Sequence, residues 1–413
     1  GLALVAGLAI KETPFLFLVI TAALNQIDPA GQLKTARALG YERAQAWIAV
    51  VFPGIYRQIR LALYAVLAYS LSTVDLAIVL GPGHPPTLAV QTLRWFSDPD
   101  VGLLLPASAS ALLLALVVAA AIGLWRLGEI LAAFAGRQWI ARGRRSAWPG
   151  RIAKTIAALT LPTIALGLAS LALLLIWSLA WRWSFPNALP ESWSLAVWTG
   201  AEWTRALRST AVIGVAATAI SLAAAIAVLE WEPLAGARAA PVLAAAAYLP
   251  LILPQPAFVF GLSIVALRTG IDQSVAAVIW THCLFVFPYV ILTLADPWRA
   301  LDPRLTRSAA ALGAGPWSIL VRIKLPLLMR PLLAAGAIGF AVSVAQYLPT
   351  LVIGGGRIET LTTEAVALSS GGDRRVVGAY ATLQALLPLL GYGLALMLPA
   401  ALDARRRARW SAA

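Results

Sequence analysis

Few residues in this chain could do chemistry, and most of them lie in apolar surroundings. Asp75 stands in a run that is otherwise apolar to Leu80. A charge at the centre of a bilayer costs roughly 2.5–3.5 kcal/mol on insertion scales, so such a group needs a reason to be there. Two readings are open: a pathway carboxylate that meets a cationic or hydrogen-bonding solute, or a side chain near the outer interface, since Gly81 follows closely. Gln346 is the second pathway candidate; like His282, it also reads as a hydrogen-bonded packing residue. Lys11 and Glu12 interrupt another apolar stretch and either join a polar network or emerge beside a kink at Pro14. Cys283 is the only cysteine, which excludes a disulfide framework and a cysteine-rich metal site and leaves a small packed hydrophobe. No His, Cys, Asp and Glu cluster has metal-ligand spacing, and no Gly-x-Ser-x-Gly nucleophile motif occurs. Nor does any Gly-x-x-x-x-Gly-Lys-Ser/Thr phosphate loop. Neither a catalytic residue nor a metal or other cofactor is therefore expected, and any energy source must be another chain.

The elements that hold these residues follow from composition. Of 413 residues 60% are apolar and only 12% charged, against about a quarter charged in ordinary soluble domains. Mean hydropathy is +0.81, which points into a bilayer. A hydrocarbon core about 30 Å thick needs about 20 apolar residues per helix. Stretches free of Asp, Glu, Lys and Arg cover 101–125, 155–181, 209–229, 239–267, 273–295, 331–356 and 376–402. With the interrupted segments near 1–24 and 61–80, they predict nine spans in an all-α, polytopic bundle.

The net charge of +14 does not call for nucleic acid, because Lys and Arg gather in short loops between apolar runs. Arg126, Arg137, Arg142, Arg144, Arg145, Arg151 and Lys154 fill one linker, and Arg405, Arg406, Arg407 and Arg409 follow the last span. The excess of positive charge assigns both to the cytoplasm, with the C-terminus there and Gly1 outside. Residue 1 is not Met and falls inside an apolar stretch, so the N-terminus is expected to be truncated. Tryptophans between Trp181 and Trp203 read as an interfacial aromatic belt on the outer face.

Self-comparison adds a repeat. A shift of 273 residues carries Ala36, Ala38, Leu39, Gly40 and Pro53 onto Ala309, Ala311, Leu312, Gly313 and Pro326. At the same shift Arg57, Ser70, Val79, Gly81, Gly83, Thr87 and Leu88 meet Arg330, Ser343, Val352, Gly354, Gly356, Thr360 and Leu361. Coincident Gly, Pro, Arg and Thr exclude a mere Ala/Leu bias. The expected organisation is a first repeat at 1–125 with three spans, N-terminally incomplete, a basic cytoplasmic linker at 126–154, and a second repeat at 155–413 with six spans. Six spans return each copy to its starting side, which makes the repeats parallel rather than inverted.

Both copies of the doubled motif fall on the cytoplasmic side. Its Ala-rich half favours helix, Gly40 and Gly313 can adopt positive φ and turn the chain, and Pro53 and Pro326 mark the next helix. A small-residue helix with a sharp bend suits insertion into a partner's groove. Pro stands thirteen residues after Gly in each copy, and apolar Val50 and Ile323 lie three before Pro.

This spacing resembles the EAA motif of binding-protein-dependent ABC permeases, and the chain is similar to the fused permeases of thiamine and ferric-iron importers. Lys34 and Arg307 replace the glutamate that names the motif. The resemblance implies a type I ABC importer permease fold in a bacterial inner membrane. It also implies coupling helices formed by Ala36, Ala38, Leu39, Gly40 and Pro53 and by Ala309, Ala311, Leu312, Gly313 and Pro326, one set for each of two ATPase subunits. A periplasmic substrate-binding protein and a small-molecule or ion substrate complete the implied system, with no enzymatic activity on this chain. The competing reading is an ion-coupled secondary transporter or channel, which predicts intramembrane carboxylates in both halves.

Overall fold

The computed structural model describes residues 1–24, 27–143, 148–184, 186–200, 202–235 and 239–411; Arg144 and Arg145 of the basic linker lie outside them. The chain forms two compact units, one of residues 1–173 with 251–258, the other of residues 174–250 with 259–413. Among the described residues seven helices are long and apolar enough to cross a membrane, and two bent helix pairs bring the total to nine if each pair is one span.

In the first unit, α1 (Leu2–Leu24) packs on α3 (Phe52–Ser72), and between them lies α2 (Pro29–Ala38). After α3 come α4 (Asp75–Leu80), α5 (Leu88–Phe96) and α6 (Leu104–Ala141), with α5 against α6. A small core joins Ala23 of α1 to Val51, Ile55 and Ile59, with Leu33 of α2 packed on it. The long helix α7 (Trp148–Leu179) leads from the first unit into the second.

The second unit opens with a short antiparallel pair, β1 (Ala180–Arg182) and β2 (Ser192–Trp193), in which Ala180 faces Trp193. It continues with α8 (Trp203–Ala235), α9 (Ala239–Ile252) and α10 (Gln255–Thr269), whose adjoining ends at 251–258 belong to the first unit, then α11 (Val275–Arg299) and α12 (Pro303–Ala311). Then follow α13 (Met329–Val344), α14 (Leu348–Ile353), α15 (Leu361–Ser369) and α16 (Arg374–Ser411). Helices α8, α11 and α13 pack on one another around Ala225, Leu229, Val286, Val290, Leu294 and Ala335. In lipid no hydrophobic force drives helices together, so close approach through small residues has to do it. Ala217 and Ala225 of α8 are fully buried, and Gly214 lies against the Phe340 ring of α13. On the outside, Leu161 and Leu168 of α7 are 69% and 64% exposed, as a lipid-facing span requires.

Element bounds repeat at the offset of 273. The pairs are α4 and α14, α5 and α15, and the π-helical turns Trp47–Val51 and Leu320–Lys324. Thr87 and Thr360 cap α5 and α15 with their hydroxyls.

Three of the expected spans contain backbone breaks that run length does not show. The stretch 61–80 stops at Ser72 and restarts at Asp75, and 331–356 stops at Val344 and restarts at Leu348, where Pro349 occupies the first turn. The stretch 239–267 bends by 111° between α9 and α10, where Pro254 and Pro256 withhold two N–H donors. Pro53 and Pro326 each stand in the first turn of an α-helix, Phe52–Ser72 and Leu325–Leu327, but that helix continues directly from a π turn instead of starting afresh. Pro53 sits within a helical span from Arg43 to Ser72, and Pro326 near the end of the helix Pro316–Leu327, which meets α13 at 78°.

Gly339 marks another close helix contact. A Cβ there would come within 2.9 Å of Val290 and 3.1 Å of Val286. Gly339→Val is expected to cost about 1–3 kcal/mol through overpacking. Gly336→Ala, whose Cβ would meet Leu222 at an ordinary 3.5 Å, should be neutral. Thermal unfolding midpoints of the two purified variants check this.

Candidate coupling loops and buried polar clusters

The two motif copies fold alike. Asp28 caps α2 by accepting from the Gly31 N–H at 2.9 Å, and Asp302 caps α12 by accepting from the Arg304 N–H at 2.9 Å. At the other end, Gly40 has φ 83° and Gly313 φ 84°. The Gly40 N–H donates to the Arg37 carbonyl at 2.9 Å and the Tyr41 N–H to that of Ala36 at 3.2 Å. The Gly313 N–H donates to Ala310 and the Ala314 N–H to Ala309, each at 3.0 Å. This paired bonding satisfies the last carbonyls of a helix, and it needs a left-handed residue where only glycine fits without strain.

The cap lifts one apolar side chain into the open. Leu39 is 63% exposed and Leu312 89%, with Ala38, Gly40, Ala311 and Gly313 exposed around them. Ala36 is buried beneath the first tip and Ala309 half-buried beneath the second; Pro53 is exposed and Pro326 half-buried. The structure thus brings each predicted set together as a tip and its base, save that each proline sits beyond a π turn. In those turns the Phe52 N–H bonds the Trp47 carbonyl and the Leu325 N–H that of Leu320, one residue further back than in an α-helix. The wider turn lies where the ring of the following proline would crowd the preceding carbonyls. Val50 and Ile323, the apolar residues before each proline, lie inside these turns.

Polar clusters gather at the equivalent helix breaks of the two units. In the first, Asp75 accepts from Thr73 Oγ1 at 2.8 Å and from the Tyr69 hydroxyl at 3.3 Å, and Lys11 Nζ lies 4.0 Å from its other oxygen while donating to Tyr69. Asp75 is therefore a paired carboxylate, and Lys11 belongs to this network as well as being about one-third exposed. Both readings of Lys11 therefore meet in one residue: it remains partly exposed, and the break at Thr73 presents two hydroxyls and a carboxylate to its ammonium. In the second unit, His282 is 2% exposed and its ring nitrogens stand 2.8 Å from Ser343 Oγ and 2.9 Å from Thr350 Oγ1. Thr350 gives its own proton to the Gln346 carbonyl at 2.9 Å, so Nε2–H of His282 donates to Thr350 and Nδ1 accepts from Ser343. Gln346 is 7% exposed, and its Oε1 is buried with no hydrogen-bond partner among the described residues. It faces a narrow crevice lined also by Thr210, Ile213, His282, Ser343, Val344 and Thr360. Cys283 packs beside this region, its thiol 3.6 Å from the Ala217 carbonyl.

Sequence reading missed the charged groups at the roots of the loops. In the second unit Glu230 accepts from Lys324 Nζ at 2.5 Å and from Trp298 Nε1 at 3.2 Å, while Glu232 takes both ends of the Arg299 fork at 3.0 and 3.1 Å. In the first unit Glu129 accepts from Tyr56 at 2.7 Å, Tyr64 at 3.1 Å and Arg126 at 2.5 Å. Their signal was present as acidic residues just beyond uncharged runs, at the ends of spans.

Comparisons with known proteins agree with this anatomy. Residues 237–406, which contain the second loop and the His282 cluster, match the family described as binding-protein-dependent transport system inner membrane component. The inner membrane ABC transporter permease protein YnjC of Escherichia coli strain K12 is 35% identical over 400 residues, 95% of this chain and 71% of that one. The spermidine/putrescine transport system permease protein PotC of the same strain is 24% identical over 153 residues, 37% of this chain and 58% of its own. The molybdenum transport system permease protein ModB of Azotobacter vinelandii is 24% identical over 176 residues, 40% of this chain and 78% of that relative.

The buried histidine gives a direct test of the second cluster. Ser343→Ala strands one ring nitrogen of His282 and Thr350→Val strands the other. Each is expected to cost about 1–3 kcal/mol, the penalty for a buried polar group left unpaired. A lowered unfolding midpoint in each variant, measured on purified protein in detergent, checks it.

Proposed function

The chain belongs to the permeases of binding-protein-dependent ABC importers, and from that premise we propose how this transmembrane subunit engages its motor. The tips around Leu39 and Leu312 dock in clefts of two ATPase subunits, which hydrolyse ATP for a chain that has no nucleotide loop of its own. Ala36, Ala38, Gly40 and Pro53 form the first docking element with Leu39; Ala309, Ala311, Gly313 and Pro326 form the second with Leu312. One observation carries this reading: the same glycine-capped tip followed by the same π turn occurs twice, each time with a leucine held out to solvent. Apolar side chains exposed on a rigid, small-residue surface are what a partner's groove rewards.

The rest of the reading follows from the doubled motif. Residues 1–125 are a first permease repeat, 126–154 a basic cytoplasmic linker and 155–413 a second repeat. The C-terminus and both tips face the cytoplasm, on the strength of the arginine-rich linker and tail and of the alternation of spans between them. A substrate-binding protein delivers solute on the opposite face. Asp75 and Gln346 belong to the translocation pathway, Asp75 at one helix break and Gln346, with its unfilled acceptor, at the other. The ion-coupled alternative needs a pathway carboxylate in both halves, but Leu348 occupies the position equivalent to Asp75 and is buried.

Cysteines introduced at Leu39 and Leu312 in a Cys283→Ala background are expected to cross-link to the co-expressed ATPase and to label from the cytoplasmic side. Labelling of the two positions on opposite sides, or both from the periplasm, would overturn the reading. Gly313→Val forces a branched residue into the left-handed region, at about 1–2 kcal/mol. It should weaken ATPase co-purification roughly 5- to 30-fold, by the usual conversion of energy to equilibrium, while membrane insertion stays intact. Its Cβ would meet nothing within 4 Å, so a loss cannot be blamed on a clash.

A further inference from the structure

We infer that Glu230 is a positioning residue, the clasp that ties the second coupling loop to α8 and so passes movement of the loop to the membrane helices. The inference rests on the docking role proposed for that loop. A tip of nine helical residues can transmit force only if its roots are held to something that moves with it.

The two roots are the end of α11, which leads into α12, and the turn Leu320–Lys324, which leads out. Glu230 Oε1 takes the Trp298 indole N–H from the first at 3.2 Å and the Lys324 ammonium from the second at 2.5 Å. Two residues on, Glu232 takes the Arg299 guanidinium through two N–H donors, a planar match that fixes orientation as well as distance. The last turns of α8 thus hold both roots of the loop at once. Glu230 and Lys324 are 31% and 20% exposed, so solvent screens the pair only in part.

Helix α8 then runs back through the unit. From Glu230 to Thr210 is about 30 Å at 1.5 Å per residue. There the Thr210 hydroxyl accepts from the Leu361 N–H at 2.9 Å, on the rim of the crevice that Gln346 faces. One rigid rod therefore links the loop roots to the polar crevice, with small residues packing it against α11 and α13 along its length. The first unit uses another device. The position of Lys324 is Val51 there, and Glu129 of α6 instead gathers Tyr56 and Tyr64 of α3.

The test uses the complete importer, reconstituted with its ATPase and binding protein. In Glu230→Gln and Lys324→Gln, transport and binding-protein-stimulated ATP hydrolysis are expected to fall about tenfold, while the ATPase still co-purifies. The reversed pair Glu230→Lys with Lys324→Glu should recover to within about threefold of the parent, a rescue that a purely local packing role does not predict. Wild-type coupling in the single variants, or a reversed pair no better than the singles, would overturn the inference. Should the singles misfold, Lys324→Arg, which keeps the charge, is expected to preserve coupling, and its loss would count against the clasp. The Leu312 cross-link separates the two ideas. If it forms and the Glu230 variants couple normally, only the clasp fails; if it does not form, the docking role fails with it.

Discussion

Hydrocarbon offers no partner to a backbone N–H or C=O, and that constraint governs where this chain may depart from helix. Each unsatisfied group costs several kcal/mol in lipid, so a break within a span survives only where side chains take over the lost bonds. The break after α13 shows the accounting. The carbonyl of Val344 accepts from the Thr362 hydroxyl, the Leu361 N–H finds Thr210, and Thr360 and Thr363 cap one another. At the equivalent break after α3, Ser72 bonds back to the Ala68 carbonyl and Thr73 turns to Asp75. Threonine and serine are therefore concentrated where the helices open, and the clusters around Asp75 and His282 grow from the same requirement.

Duplication supplies the frame and divergence the contents. Helix bounds, threonine caps, glycine turns and π turns recur at a constant offset, so backbone geometry is held in common by the two copies. Side chains at matched positions differ in kind. Thr73 corresponds to Gln346, Asp75 to Leu348 and Ala77 to Thr350, which gives one unit an ion pair and the other a histidine held by two hydroxyls. Two loops of one shape thus rest on unlike supports, Glu129 with tyrosines in one unit and Glu230 with lysine in the other.

Much of this was legible from residues alone. Uncharged run length located most of the spans, while those expected near 61–80 and 331–356 lie further back, at 43–72 and 316–344. The shift of 273 exposed both loops down to the glycines that need positive φ. The interruptions at Thr73 and Gln346 were not legible, because Ser-Leu-Ser-Thr-Val and Val-Ala-Gln-Tyr contain neither Gly nor Pro and hydropathy barely registers them. Pairings such as Lys11 with Asp75, or Glu230 with Lys324, escape any window because the partners lie on different helices and meet only through packing. The fused-permease resemblance carried the function further than the residues could, and family membership now bears that part out.

The π turns have a geometric consequence for evolution and engineering alike. Each widened turn amounts to one residue inserted into an α-helix, and one residue of helix corresponds to a rotation of about 100°. The azimuth at which Leu39 or Leu312 faces outward is therefore indexed by a single amino acid between Trp47 and Val51 or between Leu320 and Lys324. Deleting that residue would leave an unbroken helix, yet aim the leucine at a different compass bearing, away from whatever it was shaped to meet.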